Sequence, residues 1–150
     1  MELIEYPDRD MLMLGLADTL TAELAEALRH HERVSFSVPG GTTPGPVFDV
    51  LAEQALDWDR VFVVLNDERW VPEDSPRSNT ALLNKRLFVS KASAASLIPL
   101  YAPAAAPEDR IDELSQGLAG HLPLSVLLLG MGADMHTASL FPGADNLAAA

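Results

Sequence analysis

Cysteine is absent from this 150-residue chain, which excludes disulfide bonds, a thiolate nucleophile and any zinc site built from cysteine. Basic residues are few: Lys and Arg number 10 against 22 Asp and Glu, for a formal net charge of -12. Surfaces that bind nucleic acid or an anionic membrane need basic patches, so we expect neither partner. A small anionic substrate is still compatible with this charge, because it needs only a local positive site.

Long apolar runs are also missing. No stretch approaches the length that spans a bilayer, and residues 1–8 lack the basic start and apolar run of a secretory signal. We therefore expect a cytoplasmic protein. Because HxxxH, HxH and clustered carboxylates do not occur either, the sequence predicts no metal site and no cofactor.

The composition that is present is typical of a globular protein, with 48% hydrophobic and 21% charged residues. At this length we expect a single α/β domain over residues 1–150, as a monomer or a weak homo-oligomer. Residues 141–150 are typical of a turn and the opening of a helix that is too short to be stable alone. We therefore expect these 150 residues to be the front part of a longer protein.

Apolar periodicity predicts strands that alternate with helices. Helices are predicted over residues 10–29, 44 to about 55, 78 or 79 to 88, and 107–118, and strands over 34–38, 61–65, 96–101 and 124–129. The first helix carries one apolar stripe, formed by Leu12, Leu16, Leu20, Leu24 and Leu28. Pro99 indicates an edge strand, whereas the apolar run 124–129 predicts the most buried strand. This order predicts a three-layer α/β/α sandwich around a mostly parallel, Rossmann-like sheet.

Three motifs each follow a predicted strand: residues 39–44 (PGGTTP), 66–72 (NDERWVP) and 130–142 (GMGADMHTASLFP). Ligands of parallel α/β sheets bind beyond the carboxyl ends of the strands. We therefore expect the three segments, called here the glycine loop, the arginine segment and the histidine loop, to meet at one edge of the sheet.

The glycine loop contains Gly40, Gly41, Thr42 and Thr43, between a strand and a helix N-terminus. Glycines let the backbone approach a ligand closely, and free N–H groups at a helix start favour an anion. The loop therefore predicts phosphate binding, with a plain turn capped by one threonine as the alternative. A Walker loop is excluded because the Lys-Ser/Thr pair is missing.

The other two motifs supply a cation and an Asp/His pair. Arg69 could hold a phosphate or a carboxylate, fixed by an acidic neighbour, or belong to a surface ion-pair cluster. The histidine loop nearly matches GxGxxG, but Met135 replaces the third glycine, which argues against a dinucleotide site. Asp134 could bind one nitrogen of His136 and leave the other free as a base; the alternative is a helix cap beside a solvated histidine.

Taken together, the three motifs resemble those of the 6-phosphogluconolactonase family over residues 38–142. The glycine loop is similar to the family's SGGSTP-type loop, the arginine segment with Ser78 and Asn79 to its DERxVP…SN segment, and the histidine loop to its GxGxDGHTASLFP signature. The resemblance implies hydrolysis of 6-phospho-D-glucono-1,5-lactone to 6-phosphogluconate in the pentose phosphate pathway, without a metal or cofactor.

The resemblance also implies roles for individual residues. His136 is the general base that takes a proton from water, and Asp134 orients it and stabilises its charged form. Arg69 and residues 40–43 hold the substrate phosphate. We expect backbone N–H groups of the glycine-rich turns to stabilise the oxyanion.

One departure from the family pattern is Met135, which stands where the family usually has glycine. If this position needs a positive φ, methionine costs on the order of 1 kcal/mol. An amino-sugar phosphate isomerase or deaminase on the same fold is the nearest alternative, and residues 137–142 argue against it. A non-catalytic sugar-phosphate-binding protein is the alternative from a different class.

Overall fold

The computed structural model describes residues 2–145 and residue 147. The helices of this part are α1 (Arg9–His30), α2 (Gly45–Ala52), α3 (Asn79–Arg86) and α4 (Ile111–Ala119); the strands are β1 (Val34–Val38), β2 (Val61–Leu65), β3 (Ser96–Ile98) and β4 (Val126–Leu127). The turn predicted after residue 141 is present, since Ala144 N–H donates to the Phe141 carbonyl at 3.1 Å. The helix opening predicted to follow it lies mostly outside the described residues.

The strands form one parallel sheet in the order β3-β2-β1-β4, which confirms the predicted α/β class. The connections through α2 and α3 move in one direction along the sheet, and the connection through α4 returns past β1 to β4. Crossovers of this kind are right-handed in nearly all proteins, which predicts that α4 lies on the face opposite α2 and α3. The direction reverses between β1 and β4, and crevices at such reversals bind ligands in open α/β sheets.

The main hydrophobic core covers one face of the sheet. Alternate residues of β1 and β2 lie in register, with Val34 beside Val61 and Phe36 beside Val63. These four side chains are fully buried in a cluster with residues of α1, α2 and α3. Because β1 and β2 are paired on both sides, their carboxyl ends form a fixed base for the loops that follow them.

The prediction that residues 124–129 form the most buried strand is wrong. Within the part of the chain that the structure describes, only Val126 and Leu127 of this run form strand pairs, with β1 alone, and Leu127 is 51% exposed. An apolar run indicates that a segment tends to be buried, but it does not determine how many strands lie beside it. By contrast, the edge position predicted from Pro99 is confirmed, because β3 is the first strand in the sheet order. The strand is shorter than the predicted range 96–101, since it ends at Ile98, before Pro99.

The leucine stripe of α1 is buried along only part of its length. Leu20, Leu24 and Leu28 are buried, Leu16 is partly buried and Leu12 is 37% exposed. A step of four residues rotates about 40° beyond a full turn of an α-helix, so residues at this spacing wind around the helix. The first turns of α1 therefore present their leucines toward the carboxyl edge of the sheet.

Two predicted helices begin differently in the structure. Helix α2 begins at Gly45 with Pro44 as its N-cap and without a side-chain cap, so neither threonine of the glycine loop caps it. The helix predicted over 107–118 is divided at Arg110, whose φ of -130° lies outside the helical range. A short 3₁₀ turn precedes that break and α4 follows it.

Candidate active site

A cleft of about 430 Å³ lies at the carboxyl edge of the sheet, within the size range of small-molecule sites. All three motifs contribute to it, and the predicted site residues that line it are Gly40, Gly41, Thr43, Arg69 and His136. Thr42 and Asp134 do not line the cleft. Its apolar wall comes from the start of α1 and the end of β4, including Leu12, Met13, Leu16, Leu128 and Leu129.

Asp134 does not line the cleft itself but contacts His136, which does. Its Oδ1 lies 2.5 Å from Nδ1 of His136. An ionised carboxylate only accepts hydrogen bonds, so Nδ1 carries the proton and Nε2 of the neutral ring is left as an acceptor. The ring of Phe141 stacks on the imidazole, with 4.7 Å between centroids and 28° between planes. The pair thus presents one basic nitrogen in a defined orientation.

The pKa of Asp134 lies below its usual value, because the side-chain hydrogen bond from His136 outweighs the small desolvation of the carboxyl. The carboxylate therefore stays charged at neutral pH and remains an acceptor for Nδ1 of His136.

The backbone of the histidine loop closes a tight turn around this pair. Gly132 N–H donates to the His136 carbonyl at 2.9 Å, and Met135 N–H donates to the Gly132 carbonyl at 2.9 Å. Met135 has a φ of 67°, in the left-handed region. This is the positive φ for which we expect a methionine backbone to be strained. A methyl group on Gly132 would overlap the His136 ring, so the ring packs directly against the turn.

We expect Met135→Gly to raise the free energy of unfolding by up to about 1 kcal/mol, because glycine removes the left-handed strain. Turnover is not expected to fall, since the Met135 side chain is 73% exposed. Met131→Gly is the matched control, because Met131 is equally exposed and has no positive φ. Urea denaturation of both variants measures the difference; destabilisation by Met135→Gly equal to that of the control would contradict this account.

The contacts of Arg69 and Glu68 in the arginine segment differ from the predicted ones. Glu68 does not bind the Arg69 guanidinium; that group donates through Nη1 to the Arg77 carbonyl at 2.9 Å. Glu68 instead accepts from the backbone N–H groups of Arg69, Asn79 and Thr80, each at 2.8 Å. Burial alone would raise the pKa of Glu68, but these donors outweigh it and hold the pKa below its usual value. Glu68 therefore anchors the start of α3.

We expect Glu68→Gln to lower the free energy of unfolding by about 2 kcal/mol at pH 7, because the amide cannot accept on both of its terminal atoms. Since the pKa of Glu68 is lowered by folding, its contribution is present above the unfolded value, about 4.3, and is lost as pH falls through the folded value. The difference from wild type should therefore shrink in acid. Glu73→Gln, at an exposed position of the neighbouring turn, is the control. A difference that does not depend on pH would contradict the role of the charge.

Sequence reasoning missed several contacts that hold the motifs together. Asn66 donates through Nδ2 to the Leu128 carbonyl at 2.8 Å and accepts from Ser37 Oγ at 2.6 Å. Because β1 lies between β2 and β4, Asn66 reaches across the end of β1 to fix the exit of β4. Ser139 Oγ donates to Asp67 Oδ2 at 2.5 Å, which ties the histidine loop to the arginine segment. The sequence signal for these contacts was that Asn66 and Asp67 directly follow a predicted strand.

The family model of glucosamine-6-phosphate isomerases/6-phosphogluconolactonase matches residues 7–150. The chain belongs to this family. It is 42% identical over 144 residues to a 6-phosphogluconolactonase of Mesorhizobium japonicum, covering 95% of this chain and 60% of that relative. It is also 42% identical over 139 residues to a 6-phosphogluconolactonase of Pseudomonas aeruginosa, covering 89% of this chain and 56% of the relative.

The structure of a 6-phosphogluconolactonase from Shewanella baltica superposes with a TM-score of 0.91 at 33% identity, covering 96% of this chain and 62% of that one. This member of the glucosamine-6-phosphate isomerase/6-phosphogluconolactonase family thus spans about three fifths of the length of the relatives it matches. The resemblance stated from the three motifs is confirmed at the level of the family.

Within the described residues, no group of three or more metal-ligating side chains is close enough to hold an ion. In the same part of the chain, no helix is long and apolar enough to cross a membrane.

Proposed function

We propose that the protein hydrolyses 6-phospho-D-glucono-1,5-lactone to 6-phosphogluconate, a step of the pentose phosphate pathway. One observation carries the proposal: a single cleft is lined by His136, by Arg69 and by the glycine loop. A phosphorylated lactone needs a base at one end and an anion site at the other; His136 would supply the base, and Arg69 with the glycine loop would supply the anion site. The lactonases among the relatives, 39–42% identical over most of this chain, support the same reaction.

In this mechanism His136 Nε2 takes a proton from water while the water oxygen attacks the lactone carbonyl carbon. Asp134 stabilises the imidazolium that results. The tetrahedral oxyanion then collapses, the ring C–O bond breaks, and the proton on His136 passes to the leaving ring oxygen. The product is the open-chain acid. A positioned base contributes about 10²–10⁴-fold, which suits a lactone that already hydrolyses slowly in water.

The phosphate would be held by Arg69 and by the glycine loop at the start of α2. A guanidinium has five N–H donors, so the contact from Arg69 to the Arg77 carbonyl leaves others for an anion. Gly41 N–H already donates to Asn79 Oδ1 at 3.2 Å, so other donors of the loop must contact the phosphate. Gly132 and Met135 N–H are used within the histidine loop, so the oxyanion must likewise be bound by other groups.

A lactonase assay coupled to oxidation of 6-phosphogluconate tests the proposal, with the uncatalysed rate subtracted because lactones open spontaneously. We expect turnover well above that rate. Release of ammonia from glucosamine 6-phosphate would instead support a deaminase. Binding of 6-phosphogluconate without turnover of the lactone would support a sugar-phosphate-binding protein.

A further inference from the structure

Asn79, the first residue of α3, connects two of the three motifs through its side chain. Its Oδ1 accepts from Gly41 N–H at 3.2 Å, and its Nδ2 donates to the Asp67 carbonyl at 3.1 Å. The residue is only 4% exposed. It does not serve as the helix cap, because Ser78 has that role: its Oγ accepts from Ala81 N–H at 3.2 Å.

The backbone of Asn79 is itself fixed. Its N–H donates to Glu68 Oε1 at 2.8 Å, and the neighbouring Thr80 N–H donates to Oε2 of the same carboxylate at 2.8 Å. The side-chain amide is therefore presented to the glycine loop from an anchored position at the start of a helix.

The glycine loop lies directly against this amide. A methyl group on Gly40 would overlap the side-chain atoms of Asn79, and Gly41 adopts a φ of +79°, which L-residues rarely take. The path of the loop thus depends both on the two glycines and on the amide against which they pack.

We propose that Asn79 is a positioning residue that sets the affinity of the cleft for the phosphate group of its ligand, by holding the glycine loop in its anion-binding shape. This inference rests on the proposed function. Asn79 lines the cleft beside the glycine loop, but its amide is engaged by Gly41 N–H and by the Asp67 carbonyl, so it acts on the ligand through the loop. Because in the proposed mechanism the loop holds the phosphate and His136 takes a proton from the attacking water, losing the amide weakens binding more than it slows the chemical step.

The amide is the group this position requires. It supplies one acceptor for Gly41 N–H and one donor for the Asp67 carbonyl, from a single planar group. An aspartate keeps the acceptor, but it lacks the donor and adds negative charge close to the anion. An alanine leaves both backbone groups without their partner and removes the surface against which Gly40 packs.

The test compares Asn79→Ala and Asn79→Asp with Asn84→Ala, an exposed position on the same helix. Each protein is assayed with the phosphorylated lactone and with D-glucono-1,5-lactone, which lacks the phosphate. Both Asn79 variants should raise KM for the phosphorylated lactone at least about tenfold while kcat changes by less than about twofold. The ratio of kcat/KM for the two lactones should fall by the same factor, and Asn84→Ala should match wild type.

A second readout does not depend on activity. The Gly41 amide proton should exchange with solvent faster in Asn79→Ala than in wild type, and the Kd for 6-phosphogluconate measured by calorimetry should rise along with KM. Equal losses on both lactones, or a loss in kcat alone, would make the role of Asn79 structural and overturn the proposal.

Failure of the proposed function would look different. If wild type hydrolyses neither lactone but binds 6-phosphogluconate, the lactonase assignment fails, and the calorimetric Kd of the variants decides the role of Asn79. If Asn79→Ala does not fold, Asn79→Asp decides it, and a wild-type affinity in that variant overturns the proposal. A wild-type protein that binds no phosphorylated ligand overturns both.

Discussion

Replacing His136 by alanine is expected to lower kcat for the phosphorylated lactone by about 10²–10⁴-fold, the range supplied by a positioned general base. KM should change little, because in the proposed mechanism the imidazole would contact the attacking water and other residues would hold the phosphate. Initial rates from the coupled assay, corrected for spontaneous opening, measure the loss. Asp134→Asn should also lower kcat, since an amide no longer requires the proton to sit on Nδ1.

The control for this substitution is His30→Ala. His30 ends α1 at the surface and contacts Glu26, with 2.8 Å between Nε2 and Oε1, far in sequence from the histidine loop. Its replacement should leave kcat and KM at wild-type values. A His136→Ala variant that turns over lactone at a wild-type rate above the uncatalysed one would eliminate the imidazole as the base. If neither wild type nor variant exceeds the uncatalysed rate, the result would favour a protein that binds the sugar phosphate without hydrolysing the lactone.

Gly132→Ala is expected to lower kcat by about 10²-fold, because a misplacement on the order of 1 Å can cost this much. The added methyl group would occupy space now filled by the His136 ring, so either the ring or the turn must move. The histidine loop is largely exposed, and the fold should therefore lose less than about 1 kcal/mol of stability.

Gly117→Ala provides the matched comparison. Gly117 lies inside α4, and a methyl group there meets no atom within 4 Å apart from its chain neighbours and the backbone of its own helix. Alanine should stabilise that helix by roughly 0.5–1 kcal/mol and leave kcat unchanged. If Gly132→Ala retains full activity while the Nδ1 contact to Asp134 is preserved in its NMR spectrum, the close packing of ring and turn is not needed for catalysis.

The sequence predicts the central part of the fold well for a physical reason. The predicted strands 34–38 and 61–65 coincide with β1 and β2, because uninterrupted or alternating β-branched residues leave few other ways to bury their side chains. The edge position of β3 follows from Pro99, which has no N–H to donate. Each of these signals is local, so a single sequence contains it.

The errors arise where a distant part of the chain decides the outcome. Whether an apolar run such as 124–129 becomes a central strand depends on which strands lie beside it, which its own residues do not encode. The amide of Asn79 meets Gly41 across 38 positions of sequence, and no periodicity predicts such a pair. The strain at Met135, by contrast, could be predicted on the condition that this position has a positive φ. A turn position that usually holds glycine implies such a φ.

The two halves of the cleft are supported unequally. The glycine loop and the arginine segment leave strands that pair over five residues, whereas the histidine loop leaves β4, which pairs over only two. Among the described strands, β4 should therefore open at a lower cost in free energy than β1. Such an opening would carry Asp134 and His136 away from the cleft while Arg69 and the glycine loop kept their places, so that one half of the cleft would outlast the other.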